Sequence, residues 1–379
     1  MLNYIPETEF KDRLSALRNS MRRRNLDVLL IFSQKRGHVA YVSGYRPNYH
    51  TKSAIIFLPL EGDPILWIKF PFDLSRARAM SWFNDTRASV SEEPERMVAQ
   101  CAEAIRARGL ERSRIGLVAT DLAVDELSFS LYQHIRTQLP EAQLEPASDL
   151  LNELRLVKSK NEIEQVRGAA QLAELVAAEF RRAIKPGTKD HAAMTAALHL
   201  ARMEGADDCS MIISLDPSRM ALPPSGSEFR QGDAISCEIT VQYHGYWVQI
   251  CRVFSIGKAS AVQREVFEVC RDAHEAAVRA TTPGTSASQL VEEAHKVITD
   301  AGYKDYIQYG AGHGVGLDLP ELYPLDYQCK EPLSPGIVLV IHPAIWVPGK
   351  GSAFVGGPIS VSDGSPMRLD NSQSEIIEI

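Results

Sequence analysis

Two copies of one turn-and-helix pattern constrain the fold of this 379-residue chain more than any other feature. Lys185-Pro186-Gly187-Thr188 leads into a segment that ends at Gly205, and Thr282-Pro283-Gly284-Thr285 leads into one that ends at Gly302. The spacing from turn to terminal glycine is the same in both, and both segments place alanine and leucine on one helical face. The repeat predicts a pseudo-symmetric α/β half whose two units close around a pocket. Two unrelated Pro-Gly turns that match by coincidence are the alternative.

The order of apolar runs predicts two α/β domains, over 1–150 and 151–379. A chain of this length is too long for one compact core and suits two domains. In the first third, helices are expected over 9–24, 95–108 and 125–136, and strands over 27–32, 53–59, 64–68 and 114–118. In the second half, a long helix is expected over 162–182, with strands over 211–215, 234–241, 246–256, 337–341 and 358–361.

Composition and charge exclude several classes of protein. Hydrophobic residues make up 45% and charged residues 23%, as in ordinary globular proteins. The net charge of −7 is spread without a long block, which argues against nucleic acid or a membrane as partner. The N-terminus has no signal-peptide pattern and no run is long enough to span a bilayer, so we expect a cytoplasmic protein. The 6 cysteines contain no C-x-x-C pair, so we expect neither disulfides nor a thiolate zinc site.

Four segments of the second half resemble one enzyme superfamily in order and spacing. They are 154–167, 232–254 with its Gly-Asp turn and hairpin, 312–317 (Gly-His-Gly-Val-Gly-Leu) and 335–343 (Pro-Gly-Ile-Val-Leu-Val-Ile-His-Pro). Together they resemble the creatinase / Xaa-Pro dipeptidase superfamily, which includes aminopeptidase P and is also called pita-bread or peptidase family M24. The resemblance implies an N-terminal creatinase-like α/β domain and a C-terminal pseudo-symmetric pita-bread domain that is a hydrolase of C–N bonds.

The chain departs from this family at the positions that the resemblance assigns to metal. Metal-dependent relatives hold two metal ions with two aspartates eleven residues apart, a histidine and two glutamates. The matching positions here are Glu238, Gln249, His313, His342 and Gly356. Two neighbouring divalent cations need bridging carboxylates to offset their repulsion, and this set offers one. We therefore expect an enzyme that is not a typical dinuclear metallopeptidase.

A metal-free site needs side chains that activate water and stabilise charge. Glu238, His313 and His342 are the catalytic candidates, since histidine titrates near neutrality and burial raises a carboxyl pKa. Gln249 is the candidate for holding a substrate carbonyl or carboxylate. Arg252 is expected either to clamp an anionic substrate or to form a salt bridge that serves the fold, with Glu238 as one possible partner. Glu321 is expected either to bind substrate or to lie on a loop surface.

Three functions fit these residues. The first is a metal-independent hydrolase, or a lyase, of a C–N bond in a small polar molecule, with no cofactor. Creatine is a poor substrate guess, because the stretch 218–224 lacks the histidine that the resemblance to creatinase requires. The second is an enzyme with one divalent metal held by Glu238, His313 and His342, a 2-His-1-carboxylate set. The third is a non-catalytic binding module.

The resemblance also implies a homodimer in which the N-terminal domain of one subunit borders the pocket of the other. Tyr45 and Arg46, after the strand-like stretch 38–44, are the candidates for such a contribution to substrate binding. As loop residues they are equally suited to covering the surface of their own domain. The expected partners are therefore a small-molecule substrate and a second copy of the chain.

Overall fold

The computed structural model describes residues 4–32, 37–47, 53–90, 93–118, 127–215 and 223–379. It divides into two compact units, Met1–Leu156 and Val157–Ile379. Part of the helix expected over 125–136, and most of the stretch 218–224, lie outside the described residues. Among the residues that are described, no helix is both long and apolar enough to cross a membrane.

The first unit is a six-stranded mixed sheet with helices, and its strand order is β4-β3-β2-β1-β5-β6. Its helices are α1 (Glu7–Arg24), α2 (Gly37–Ser43), α3 (Leu74–Met80), α4 (Pro94–Arg106), α5 (Phe129–Gln138) and α6 (Ser148–Leu156). Its strands are β1 (Val28–Phe32), β2 (Ala54–Pro59), β3 (Ile65–Ile68), β4 (Asp85–Ala88), β5 (Arg114–Val118) and β6 (Gln143–Pro146). A 3-10 turn covers Pro71–Asp73. The central strands are apolar because both faces are covered.

The prediction that 38–44 is strand-like is wrong, because these residues form helix α2. All seven residues of Gly37–Ser43 are buried, and the helix ends at Gly44, whose φ is 80°. The ring nitrogen Nε2 of His38 lies 3.2 Å from Oδ1 of Asn152 in the same unit. Tertiary burial therefore outweighs the strand preference of the valines and the tyrosine.

The second unit contains the repeat. Its helices are α7 (Lys160–Ala183), α8 (Asp190–Met203), α9 (Ala261–Ala280) and α10 (Ala287–Asp300), with a 3-10 turn over Lys304–Tyr306. Its strands are β7 (Asp208–Ser214), β8 (Ala234–Tyr243), β9 (Tyr246–Ser255), β10 (Gly312–Gly314), β11 (Glu321–Leu325), β12 (Val338–Ile341), β13 (Ala344–Val347), β14 (Gly351–Phe354), β15 (Gly357–Ser360), β16 (Met367–Arg368) and β17 (Ile377–Glu378). The sheets have the orders β17-β9-β8-β7, β11-β10-β12-β15-β16 and β13-β14.

The two Pro-Gly-Thr turns make the same contacts in both halves of this unit, which confirms the predicted pseudo-symmetry. The N–H of Gly187 donates to the carbonyl of Phe229 at 2.8 Å, and the N–H of Gly284 donates to that of Leu333 at 2.9 Å. Beyond each contact a strand begins, at Ala234 for β8 and at Val338 for β12. Glu238 and His342 each lie four residues after these strand starts. The repeat therefore brings a carboxylate and an imidazole to equivalent positions in the two halves.

Candidate active site

The hairpin of β8 and β9 sets the first part of the site. In its antiparallel register Glu238 lies opposite Cys251, and Thr240 lies opposite Gln249. Directly opposed residues point to the same face of a sheet, so Glu238, Thr240 and Gln249 share one face. The connecting turn places His244 at φ 53° and Gly245 at φ 88°, the backbone that a two-residue hairpin turn requires. His244, the first residue of this turn, is half-buried.

Glu238 is a partly buried carboxyl group held through one oxygen. Its Oε1 accepts a hydrogen bond from Nε2 of Gln249 at 2.8 Å and a long one from the hydroxyl of Thr240 at 3.5 Å. Burial raises the pKa of Glu238 to about 7, and the Thr240 hydrogen bond opposes this only in part. Glu238 is therefore able to gain and lose a proton near neutral pH.

His313 lies in β10, the short strand between β11 and β12. Its Nε2 lies 2.9 Å from Oε1 of Gln249, and its Nδ1 lies 2.9 Å from the carbonyl oxygen of Gly314. Burial lowers the pKa of His313. A Cβ at Gly312, the residue before His313, would lie 1.9 Å from the carbonyl oxygen of Val340. That glycine therefore serves the close approach of neighbouring strands.

His342 follows β12 and is held by a tyrosine that the sequence analysis missed. The hydroxyl of Tyr309 lies 2.6 Å from Nδ1 of His342 and also donates to the backbone carbonyl of His342. A hydroxyl has one proton and a carbonyl only accepts, so Nδ1 donates to the tyrosine oxygen and Nε2 carries the lone pair. Within the described part of the chain, Nε2 is buried and has no hydrogen-bond partner.

His342 is neutral at physiological pH. Its side chain is buried, and burial together with the nearby His313 lowers its pKa to about 3. The rings of His313 and His342 lie 5.3 Å apart, edge to face, and Phe354 lies 5.1 Å from His342. This differs from the near-neutral pKa expected from the sequence, and it makes His342 a hydrogen-bond acceptor rather than a shuttle for protons.

The structure thus brings Glu238, Gln249, His313 and His342 together on one polar surface. Glu238, Gln249 and His313 form one chain of hydrogen bonds, and His342 joins it through ring contact with His313. Both ends of the Gln249 amide contact these neighbours, and its substrate-binding role stays a prediction. Tyr309 could have been suspected from its position four residues before His313 in the same glycine-rich loop.

Arg252 forms a salt bridge that serves the fold, and its partner is not Glu238. Its guanidinium pairs with Glu174 and, at 2.9 Å, with Asp370, and it is 2% exposed. Its Nη1 also donates to the carbonyl of Gly356 at 3.0 Å. These contacts occupy the guanidinium, and its substrate-binding role stays a prediction.

Glu321 is not a loop-surface residue. It starts β11, its side chain is 8% exposed, and its Oε2 lies 2.8 Å from Nζ of Lys158, which is 1% exposed. Its Oε1 accepts from the backbone N–H of Asp318 at 3.1 Å. Because Glu321 pairs with Gly314 across the strand register, this buried ion pair braces the strand that carries His313. Its substrate-binding role stays a prediction.

Tyr45 and Arg46 occupy different environments in the first unit. Tyr45 is 0% exposed, and its hydroxyl donates to Asp73 at 2.5 Å. The guanidinium of Arg46 lies 5.3 Å from the centre of the Tyr4 ring. The buried Tyr45 side chain has no surface with which to reach a second subunit, because it packs within its own domain. Arg46 and the homodimer stay predictions.

Gly356 occupies the position of the fifth metal-binding side chain in the family resemblance. A Cβ there would lie 1.9 Å from the carbonyl oxygen of Ile341, and its own carbonyl accepts from the N–H of Cys251 at 2.9 Å. The position is therefore closed to any side chain. In the described residues, no three His, Cys, Asp or Glu side chains are grouped so that they could hold a metal ion.

Comparisons with known proteins give a consistent set of relatives. Residues 164–363 match the family model "Metallopeptidase family M24", and residues 13–157 match "Creatinase/Prolidase N-terminal domain". An Xaa-Pro dipeptidase of Pyrococcus furiosus is 27% identical over 255 residues, covering 66% of this chain and 73% of that protein. An Xaa-Pro dipeptidase of Lactobacillus delbrueckii subsp. lactis is 24% identical over 343 residues, covering 89% and 90%.

The fold has close counterparts among solved structures. An Xaa-Pro dipeptidase from Bacillus anthracis superposes with a TM-score of 0.86 at 20% sequence identity, covering 98% of this chain and 100% of that one. At this identity the superposition shows the fold alone. The expectation of a creatinase-like N-terminal domain followed by a pita-bread domain is confirmed.

Proposed function

We propose a function that follows from the family: this chain belongs to metallopeptidase family M24, whose model matches residues 164–363. The proposed function is hydrolysis of a peptide-type C–N bond in a small polar molecule. The relatives named as Xaa-Pro dipeptidases support the C–N bond and the size of the substrate. Glu238 accepts a proton from the attacking water and returns it to the leaving nitrogen.

The environment of Glu238 is the observation that carries this proposal. The two hydrogen bonds that the described residues make to its carboxyl group both end on Oε1, which leaves Oε2 for a water molecule. A pKa raised to about 7 by burial suits a group that must act as base and then as acid at neutral pH. His342, neutral and with an acceptor at Nε2, supplies a fixed hydrogen-bond partner for a substrate N–H.

The residues at the five metal-binding positions of the family support a reaction that does not use two metal ions. Where the resemblance places a second aspartate, the amide of Gln249 directs an N–H donor at the one carboxylate of the set, Glu238. The fifth position, Gly356, has no room for a ligand. Paired cations need several bridging carboxylates, and these residues do not fit such a centre.

The test is hydrolysis by purified full-length protein, with metal content measured on the same sample. The substrates are Xaa-Pro dipeptides, N-acylated amino acids and small cyclic amidines. We expect turnover that survives chelation, with a kcat/KM that rises as pH passes through about 7, where Glu238 ionises. Glu238→Gln lowers kcat at least about 100-fold, the usual contribution of a general base. Glu204→Gln, at an exposed position, leaves it unchanged.

Other outcomes separate the alternatives. Stoichiometric metal whose removal abolishes turnover contradicts the metal-independent reaction and favours one ion at Glu238, His313 and His342. Absence of turnover on every substrate, together with binding of the same compounds that survives His313→Ala, favours the non-catalytic module. Neither outcome alters the family assignment.

A further inference from the structure

A cleft of about 250 Å³ lies within the first unit and is lined by three segments of the chain. They are one face of α1, the turn between β2 and β3, and the stretch between α3 and β4. Three of the lining residues are apolar and buried, namely Leu14, Pro64 and Phe83. Four are polar and exposed, namely Lys11, Ser15, Asp63 and Asn84. An apolar floor with a few polar groups is the usual composition of a small-molecule site, and this volume suits a ligand smaller than a drug.

Arg18 is a half-buried cation that lines this cleft. Its Nη2 donates to the backbone carbonyl of Pro59 at 3.3 Å and to that of Gly62, which holds the guanidinium against the turn between β2 and β3. Within the residues that the structure describes, Nε is buried without a hydrogen-bond partner and Nη1 makes no hydrogen bond. Burial lowers the pKa of Arg18, and the charges of Glu61 and Asp63 oppose this only in part. The positive charge is therefore poorly solvated and keeps a donor for a ligand.

Asp63 places a negative charge at the same cleft. It interacts electrostatically with Arg18, but in the described part of the chain its carboxylate forms no ion pair with that guanidinium. Lys11 also lies at the rim, but it is exposed and pairs with Glu7 at 2.7 Å. The cleft therefore offers one cation and one anion that are near each other and that pair with no other described side chain.

Trp82 gives the cleft an aromatic wall whose position is fixed. Its Nε1 donates to the carbonyl of Val42 at 2.8 Å, and its ring meets that of Phe83 edge to face, with 5.1 Å between the ring centres. Trp82 is half-buried, so part of its surface stays available for contact. Apolar groups gain free energy when they pack against such a ring. An apolar part of a ligand therefore fits beside the two charges.

We propose that this cleft binds an α-amino acid with an apolar side chain. The carboxylate of the ligand accepts from Nη1 of Arg18, its ammonium group donates to the carboxylate of Asp63, and its side chain packs against Trp82. A simple anion is repelled by Asp63 and a simple cation by Arg18, whereas an amino acid carries both charges on neighbouring groups and satisfies both residues. The site belongs to the first unit and does not depend on the reaction proposed for Glu238.

The experiment is a titration of the full-length protein, labelled with nitrogen-15 at tryptophan, with L-phenylalanine. The chain has 4 tryptophans, so the indole N–H signals are few, and Trp82→Phe assigns the signal of Trp82. We expect this signal to move and to saturate as the ligand is added. Trp346, whose ring lies 6.0 Å from that of Phe354 beside His342, reports binding at the candidate active site instead.

Two variants test the charged groups. Arg18→Met keeps the apolar stem but removes the guanidinium, and it weakens the binding of L-phenylalanine at least about 10-fold, since a charge-assisted hydrogen bond is lost. Asp63→Asn, at an exposed position, leaves the fold intact and weakens this binding by a similar factor. Arg22→Met is the matched control, because Arg22 lies one turn further along α1, pairs with Glu61 at 2.7 Å and does not line the cleft. It leaves the affinity unchanged.

Two analogues test the need for both charges. For the wild type, 3-phenylpropanoate lacks the ammonium group and 2-phenylethylamine lacks the carboxylate, and each binds at least about 10-fold more weakly than L-phenylalanine. The proposal is overturned if the Trp82 signal stays still at millimolar L-phenylalanine, or if the Trp346 signal alone moves. It is also overturned if inorganic phosphate moves the Trp82 signal and L-phenylalanine does not, or if both charge variants bind as the wild type does.

Discussion

Replacing Arg252 by methionine tests whether its buried guanidinium serves the fold or a substrate. Nη1 donates to the carbonyls of Cys251 at 2.9 Å and Gly356 at 3.0 Å, and Nη2 donates to Glu174 and Asp370. Methionine fills much of the same volume but removes the charge and these hydrogen bonds. The two carboxylates are then left next to each other without a cation.

The expected loss follows from the burial of this cluster. The side chains of Arg252 and Asp370 are each 3% exposed, and removing one partner of a buried ion pair costs about 3–5 kcal/mol. For a cooperative unit of this size, 1 kcal/mol lowers Tm by about 2–4 °C. Multiplying these two estimates gives an expected fall in the Tm of Arg252→Met of roughly 6–20 °C. Burial already raises the pKa of Glu174, so this carboxyl group takes up a proton and the fall lies in the lower half of that range.

The assay is thermal unfolding followed by circular dichroism at neutral pH, with KM measured on any substrate that the wild type turns over. Arg182→Met is the control, because Arg182 pairs with Glu179 on the surface and its side chain is 72% exposed. A surface pair contributes about 1 kcal/mol or less. A Tm of Arg252→Met equal to that of the wild type, together with a raised KM, would refute the structural role and restore the substrate clamp.

Three further perturbations test the packing and charge of the second unit. Gly356→Ala places a Cβ 1.9 Å from a backbone oxygen and is expected to lower the free energy of unfolding in urea by about 3 kcal/mol or more. The control Gly364→Ala, whose Cβ would have nothing within 4 Å, lowers it by about 0.5 kcal/mol or less. Equal urea midpoints for the two variants would contradict the conclusion that position 356 has no room for a side chain. Because the pKa of Glu238 is raised to about 7 in the folded protein, its contribution to the free energy of unfolding is complete below about pH 4.5 and is lost, by about 3 kcal/mol, as pH rises through about 7. Glu238→Gln lacks this pH dependence, and parallel curves of stability against pH for the two proteins would contradict the prediction. Lys158→Met leaves Glu321 buried without its cation and lowers the free energy of unfolding by about 3–5 kcal/mol. Adding Glu321→Leu to this variant recovers more than half of that loss. Additive losses from the two substitutions would argue against a stabilising ion pair.

The strands that carry the site could be predicted from local sequence. Alternation and turn residues placed β8 and β9 to within a few residues, and the repeat indicated two related halves. The strands and the repeat depend on periodicity and spacing, which the chain shows directly. That Glu238, Gln249, His313 and His342 share one site was implied by the family resemblance and not by any local pattern.

Contacts between distant segments could not be predicted in the same way. The partners of Arg252 are 78 and 118 residues away, and nothing local distinguishes them from other acids. The inward direction of Tyr45 and the helix before it depend on burial, which overrides local propensity. The role of Tyr309 depends on the fold that brings its hydroxyl to the ring of His342.

Because Glu238 and His342 occupy equivalent positions in the two halves, the side chain at either position can change without a change in the path of the backbone. Each half of the second unit delivers one side chain, four residues after the start of its strand, to a common surface. An acid, a base or an amide can therefore be exchanged in one half while the strand in the other half stays where it is. In such a scaffold the chemistry of the site can change through two independent substitutions, one in each half, without a new loop.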